Sequence, residues 1–313
     1  MEYRRVERSG LKVSVFGLGG WLTFGESVKD KKIINRIIKT AYEKGINYFD
    51  IADVYALGEA EKLMGEVLRE YPRHRLVITS KVFWPMSDDI NDRGLSRKHI
   101  FESIDKSLKR IGTDYIDIYY CHRFDPEVPL EETLRAMSDL VHHGKILYWG
   151  TSMWSHAQIL EAMMLCERYG LYKPIVEQPV YNLIIREHFE KEVKPSIEKF
   201  GIGAIVFSPL LSGILTGKYD EGIPPGSRLG KSDVIRERHY TKENIEKVRK
   251  FKNIADRIGY SRAQVALAWL KSKPEVSSII LGATKPQQLE ENLRALEIEL
   301  TQDLINEIEN IFV

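Results

Sequence analysis

The chain has 313 residues, 43% apolar and 29% charged, a globular mixture with enough material for one large core. Forty-six basic against forty-five acidic residues leave a formal charge of +1, so no global field draws nucleic acid, and that class of partner is set aside. The charged start "MEYRRVERSG" has no apolar stretch behind it, no run is long enough to span a bilayer, and two cysteines cannot build a disulfide framework; the expectation is a cytoplasmic protein without membrane insertion.

In chain order, "YRRVERSGLKVSVFG" reads as a small β-hairpin turning at Ser9-Gly10, a plug for one end of a barrel. Eight β-rich runs follow: 14–19, 46–50, 76–81, 115–122, 146–152, 175–179, 203–209 and 277–282. Several are continuous apolar runs without polar alternation, the pattern of parallel strands covered on both faces. Between them the period turns helical, with Ile33, Ile34, Ile37, Ile38 and Ala41 on one face, then Ile100, Phe101, Ile104 and Leu108, then Ile159, Leu160, Met163 and Met164. Ser155 with Gln158 and Ser261 with Gln264 have capping-box spacing. The methionine pair and both cysteines, Cys121 and Cys166, read as core filling.

Eight β-then-α units predict a single α/β domain over residues 1–313, a closed (β/α)8 TIM barrel. After strand seven comes a long loop, "SPLLSGILTGKYDEGIPPGSRLGKSDVIRERHY", of a length that suggests a lid or binding loop. Neither "GLGGWLTFG" nor "GILTGK" completes a glycine-rich nucleotide motif.

Catalytic groups in such barrels project from the C-terminal strand ends. There the sequence places Asp50 and, a few residues on, Tyr55 from strand two, Lys81 from strand three and His122 from strand four. Any one of them could be a rim residue; an acid, a phenol, an amine and an imidazole on three adjacent strands make a proton-transfer site. Asp50 would hold Lys81 as the cation, and the ammonium would lower the Tyr55 phenol below its usual value of about 10. No histidine or acidic cluster has metal-ligand spacing, so no metal is expected. Carbonyl reduction suits this set: Tyr55 protonates the oxygen, His122 orients it, and a nicotinamide or flavin must bring the hydride. A hydrolase or isomerase using Asp50 and Asp53 ranks last, because two carboxylates three residues apart on one segment do not straddle a substrate. Trp21, Phe83, Trp84 and Trp154, after strands one, three and five, would wall the pocket, with Trp21, Tyr55, Trp84 and His122 lining the substrate site.

The motifs "GINYFDIADVY", "TSK", "CHR", "GLSRKHI", "PEVPLEETLRAM", "YWGTS", "GKYDEGIPPGSR" and "LGATKPQQLEEN" resemble the aldo-keto reductases over nearly the whole chain, nearest the branch containing the voltage-gated potassium channel beta subunits. The resemblance implies a reductase of aldehydes or ketones using NADP(H), with Asp50, Tyr55, Lys81 and His122 as its tetrad. It further implies that Ser152 and Gln178 contact the nicotinamide carboxamide and Phe207 stacks on the ring, with Gly20, Trp21 and Asp50 beside the nicotinamide ribose. Ser208, Leu210, Ser212 and Lys218 would cover the pyrophosphate with Arg228 nearby; Gly282, Thr284, Gln288, Glu291 and Asn292 would hold the adenosine end, Lys285 would reach the 2′-phosphate, and attraction of that phosphate to Arg228 and Lys285 would favour NADPH over NADH. Two departures stand out: Met153 follows Ser152 where many of these reductases have Asn, and His122 stands where the channel subunits carry Asn. The resemblance also admits another role, an NADP(H)-binding, redox-sensing regulatory subunit with slow turnover. The sequence names no particular carbonyl substrate and leaves a homo-oligomer open.

Overall fold

The computed structural model describes residues 1–231 and 233–313; Ser232, inside the long segment after the seventh barrel strand, lies outside the described residues. Among the described residues ten strands are present: β1 (Tyr3–Arg5) and β2 (Lys12–Ser14) pair antiparallel, and β3 (Phe16–Gly19), β4 (Tyr48–Asp50), β5 (Val77–Val82), β6 (Ile116–Cys121), β7 (Ile146–Thr151), β8 (Val176–Glu177), β9 (Gly203–Val206) and β10 (Val276–Leu281) close into a parallel barrel in that order, with β10 against β3. This is the (β/α)8 TIM barrel with an N-terminal hairpin that the patterning predicts.

One main helix follows each of the first six barrel strands: α1 (Lys31–Glu43), α2 (Glu59–Leu68), α3 (Arg97–Ile111), α4 (Leu130–His142), α5 (His156–Tyr169) and α6 (Lys194–Phe200). After β9 come α7 (Arg228–Lys231), α8 (Asp233–His239), α9 (Lys242–Arg257) and α10 (Arg262–Lys271); after β10 come α11 (Pro286–Leu293) and α12 (Gln302–Ile311). The apolar stripe of α1 faces inward through Ile34, Ile37, Ile38 and Ala41. On α5 the expectation holds for Ile159 and Met163 but not for Met164, which is 63% exposed because it falls outside the sheet-facing arc. Both capping boxes form, at Ser155/Gln158 and Ser261/Gln264. Cys121 and Cys166 are buried free thiols, as packing residues should be.

The barrel interior is a cluster of Tyr48, Val77, Ile118, Tyr120, Val176, Ile205 and Ile280, joined by Val6 and Val13 from the hairpin. The hairpin therefore closes the end of the barrel where the strands begin. Asn47, just before β4, exchanges hydrogen bonds with Ser14 (2.7 and 3.1 Å), and Arg4 donates to the carbonyls of Lys271, Lys273 and Val276 (2.7, 3.2 and 2.8 Å). Its turn is wider than a tight Ser9-Gly10 corner: Val6 N–H pairs with Leu11 O (2.9 Å) around residues 7–10.

The segment after β9 is not structureless. It contains a 3-10 turn at Leu211–Thr216 and the short helices α7 and α8. Buried Tyr219 ties these pieces together, its hydroxyl donating to Ser212 O and accepting from Leu229 N–H, both at 3.3 Å. Arg262 of α10 pairs with Asp220 at 2.7 Å. A long polar sequence conceals this because its apolar anchors are few and irregularly spaced. No helix among the described residues is long and apolar enough to cross a membrane.

Candidate active site

With the hairpin sealing one end, the opposite rim is open, and the ionisable residues of the strand ends meet there. Asp50 closes β4 and Lys81 lies near the end of β5; the two strands are paired with Asp50 opposite Thr79. His122 follows β6 directly. Tyr55 reaches the same place through a turn that continues with left-handed residues Ala56 and Leu57 (φ 50° and 51°) and Gly58 (φ 88°).

Lys81, fully buried, donates from Nζ to Asp50 Oδ2 (2.7 Å), Ile51 O (2.8 Å) and Tyr55 OH (3.1 Å). All three ammonium protons thus have acceptors, and the lysine bridges the carboxylate to the phenol. The other carboxylate oxygen of Asp50 accepts from Gln178 Nε2 (2.8 Å), Thr79 Oγ1 (3.0 Å) and, at 3.4 Å, Tyr48 OH. Such saturation is what keeps a buried ion pair in place, since an isolated charge there would carry a desolvation cost of several kcal/mol.

Burial reverses one expectation about ionisation. The Tyr55 phenol is pushed well above its ordinary value, chiefly because it is desolvated and secondly because Asp50 is close, rather than being lowered by Lys81. Burial also lowers Lys81, with Asp50 opposing. His122 is pushed well below the usual imidazole value by burial, then by the positive charges of Lys81 and Arg123. The resting site therefore holds a protonated phenol and a neutral imidazole, and the imidazole's Nδ1 is buried with no hydrogen-bond partner among the described residues.

Asp53 stands in a buried network that includes α3. It is fully buried, accepts from Val54 N–H (2.6 Å) and from Ser103 Oγ of α3 (2.9 Å), and Ser103 in turn accepts from Tyr119 OH (3.1 Å). Burial and nearby Glu61 raise its carboxyl to about 7.

Above Tyr55 opens a cavity of about 320 Å³ lined by Trp21, Val54, Trp84, His122, Phe207 and others, with Glu26, Arg123, Ser152 and Gln178 as further polar lining besides Tyr55 itself. All four residues expected at the substrate site, Trp21, Tyr55, Trp84 and His122, line it. Trp21 meets Phe207 edge to face at 6.5 Å, while Trp84 lies edge to face with His122 at 6.3 Å and with Phe83 at 5.1 Å. Two expected walls are corrected. Trp154 is fully buried beneath the rim against Phe124 (5.0 Å), its backbone N–H held by buried Glu177 (3.1 Å), and Phe83 supports Trp84 without lining the cavity. Val54, Glu26 and Arg123 were not singled out from the sequence. Arg123 had a legible signal, standing next to His122 past the same strand end; Glu26 had none.

The residues expected to hold a dinucleotide divide into two sets. Trp21, Ser152, Gln178 and Phe207 are in the cavity, and buried Gly20 precedes Trp21. Gln178 is partly committed, through Nε2, to Asp50, and Ser152 Oγ donates to Gln178 O (2.8 Å). Met153 takes a left-handed conformation (φ 60°), one that Asn tolerates better than Met. The other set lies on the loops after β9 and β10, outside the cavity lining. Ser208 and Ser212 have left-handed backbone (φ 57° and 54°), Leu210 precedes the 3-10 turn, and Lys218 is exposed. Partly buried Arg228 crosses to the end of β10, its Nη2 3.9 Å from where a Cβ on Gly282 would stand. Thr284 N–H and Oγ1 donate to Gln288 (3.0 and 3.3 Å), Lys285 caps α11 without a side-chain bond, Glu291 is exposed, and Asn292 is buried.

Comparison with known proteins completes the description. The model of the Aldo/keto reductase family matches residues 15–312. The chain is 44% identical, over 99% of its length, to a protein of Schizosaccharomyces pombe named as a putative voltage-gated potassium channel subunit beta, of which the match covers 92%. Proteins of Oryza sativa subsp. japonica and Arabidopsis thaliana, each named as a probable voltage-gated potassium channel subunit beta, are also 44% identical over 99% of this chain and 96% of their own.

Proposed function

The chain belongs to the aldo/keto reductase family, and from that premise we propose that it is an NADP(H)-dependent oxidoreductase that reduces aldehydes or ketones to alcohols, with Tyr55 as the proton donor. The observation that carries this reading is the bridge Asp50–Lys81–Tyr55, with Nζ 2.7 Å from the carboxylate and 3.1 Å from the phenol at the floor of an apolar cleft.

The donor set suits the cofactor. The apolar faces of Trp21 and Phe207, with Ser152 and Gln178 as polar neighbours in the same cavity, suit a planar carboxamide-bearing ring, and Lys218, Arg228 and Lys285 on the neighbouring loops supply cations for phosphate. When bound, a nicotinamide supplies the hydride that no side chain can supply. The protein's part is proton handling. Tyr55, kept protonated by burial, gives its proton to the carbonyl oxygen as negative charge develops there, because an alkoxide is a stronger base than even a destabilised phenoxide. Lys81 stabilises the phenoxide left behind, and Asp50 keeps the ammonium charged and aimed. Neutral His122 can donate one hydrogen bond to the same oxygen without competing as an acid.

Tyr55→Phe should lower kcat by about 10²- to 10⁴-fold in nucleotide consumption with aldehydes and ketones, while quenching of protein fluorescence still reports NADPH binding. Full activity in that variant would end the mechanism. Arg228→Ala should weaken NADPH by about tenfold and NADH much less, since a charge-assisted contact to a 2′-phosphate is lost from only one of them; equal losses would deny Arg228 that role.

The names of the relatives favour a second reading, an NADP(H)-binding, redox-sensing regulatory subunit with slow turnover. Tight nucleotide binding with negligible steady-state consumption across an aldehyde panel would select it.

A further inference from the structure

Arg123 is the only cation among the described residues lining the cleft. Its Nη1 donates to the carbonyl of His122 and, at 3.5 Å, to Ser152 Oγ; Nε and Nη2 have no acceptor and the guanidinium no carboxylate within ion-pair distance among the described residues. The carboxylate that acts on it from a distance, Glu177, lies buried beneath the rim and is engaged by Thr151 Oγ1 and by Trp154 N–H at 3.1 Å. Glu26, at the exposed mouth, is instead within the field of Arg228. Arg123 is partly buried beside the Trp84 ring, with Cζ 5.6 Å from its centroid, and burial is the main influence on its ionisation, lowering its pKa. Nε and Nη2 are not among the buried polar atoms left without a partner, so these donors stay open to the cleft, and a partly desolvated guanidinium there gains most from a counter-charge that arrives with the ligand. The other charges cannot serve as that partner: Lys81 and Asp50 satisfy each other, and His122 is neutral.

We propose that Arg123 is a specificity-determining residue that binds an anionic group, a carboxylate, on the carbonyl substrate, so that this cleft selects oxo-acids over neutral aldehydes. The proposal rests on the reductase reading. Arg suits it better than Lys would, because the planar fork takes both carboxylate oxygens at once.

The test compares 4-oxobutanoate and 4-carboxybenzaldehyde, each with its methyl ester, in NADPH consumption by the wild type, Arg123→Leu and Arg123→Lys. At least one acid should be preferred over its ester in the wild type, mainly through KM. That preference, taken as the ratio of kcat/KM values, should fall by about 10- to 100-fold in Arg123→Leu, as loss of a charge-assisted contact implies, and Arg123→Lys should recover part of it. No preference for either acid in the wild type, or an equal loss for acid and ester in Arg123→Leu, as a merely structural role would give, overturns the proposal with the reductase reading intact. If the wild type consumes nucleotide with none of the four compounds, nor with a broader carbonyl panel, the reductase reading fails and takes this inference with it.

Discussion

Asp53 illustrates how one residue's environment can oppose the ionisation its chemistry favours. It is buried behind the turn that delivers Tyr55, with Glu61 as a like-charged neighbour and only partial compensation from Ser103, Val54 N–H and Arg110. Its carboxyl therefore rises from 3.8 to about 7. Between those two values the folded state binds a proton that the unfolded chain has lost, so this group's stabilising contribution is whole below the lower value and is lost as pH rises through the upper one. Asp53→Asn mimics the protonated form. It should flatten the fall of the urea midpoint between about pH 4 and pH 7 and make the protein relatively more stable above pH 7; an unchanged pH slope would show that Asp53 ionises freely in the fold. Lys81, Thr79 and Gln178 all donate to the carboxylate of Asp50. Removing that carboxylate should be costly: Asp50→Ala strands a buried ammonium, at about 3–5 kcal/mol, read as loss of urea midpoint together with loss of turnover.

At the scale of elements, helix α2 carries the loop that holds Tyr55, and its position depends on a close approach to α3. A Cβ on Gly65 would run into the backbone of Ile111 at the end of α3. Gly65→Ala must push the two helices apart and should cost about 1–3 kcal/mol, with kcat falling too because the start of α2 anchors the Tyr55 turn; unchanged stability would mean the helix pair yields more easily than its packing suggests. The loop after β9 has a corresponding constraint at Gly217 (φ 79°), where any side chain would strike the Arg262 guanidinium that holds Asp220. Both positions explain glycines that are invisible in periodicity, because what forbids a side chain comes from an element distant in sequence.

For the whole molecule, the barrel divides its tasks between two ends. The hairpin end provides stability through Val6, Val13 and the three carbonyl contacts of Arg4, while the opposite rim carries the ionisable cluster. Arg4→Ala should lower unfolding stability by about 2–3 kcal/mol and leave kcat within twofold, as the change lies across the core from Tyr55; a large kcat effect would show that the two ends are coupled. The separation also marks what the sequence reveals. Apolar runs, helical stripes and capping pairs are local patterns, and they were enough to lay out all eight β/α units and to name Asp50, Tyr55, Lys81 and His122 as residues of one rim. Periodicity could not say that Trp154 turns under the rim or that Arg123 enters the cleft with no carboxylate within ion-pair distance among the described residues, since each depends on where a loop folds after its strand ends. Nor could it give the direction in which Tyr55 titrates. The sequence by itself determined which groups stand at the strand ends, because strand period and chain order fix that; only the tertiary structure decided their ionisation, because desolvation is set by neighbours contributed from the whole circumference of the barrel.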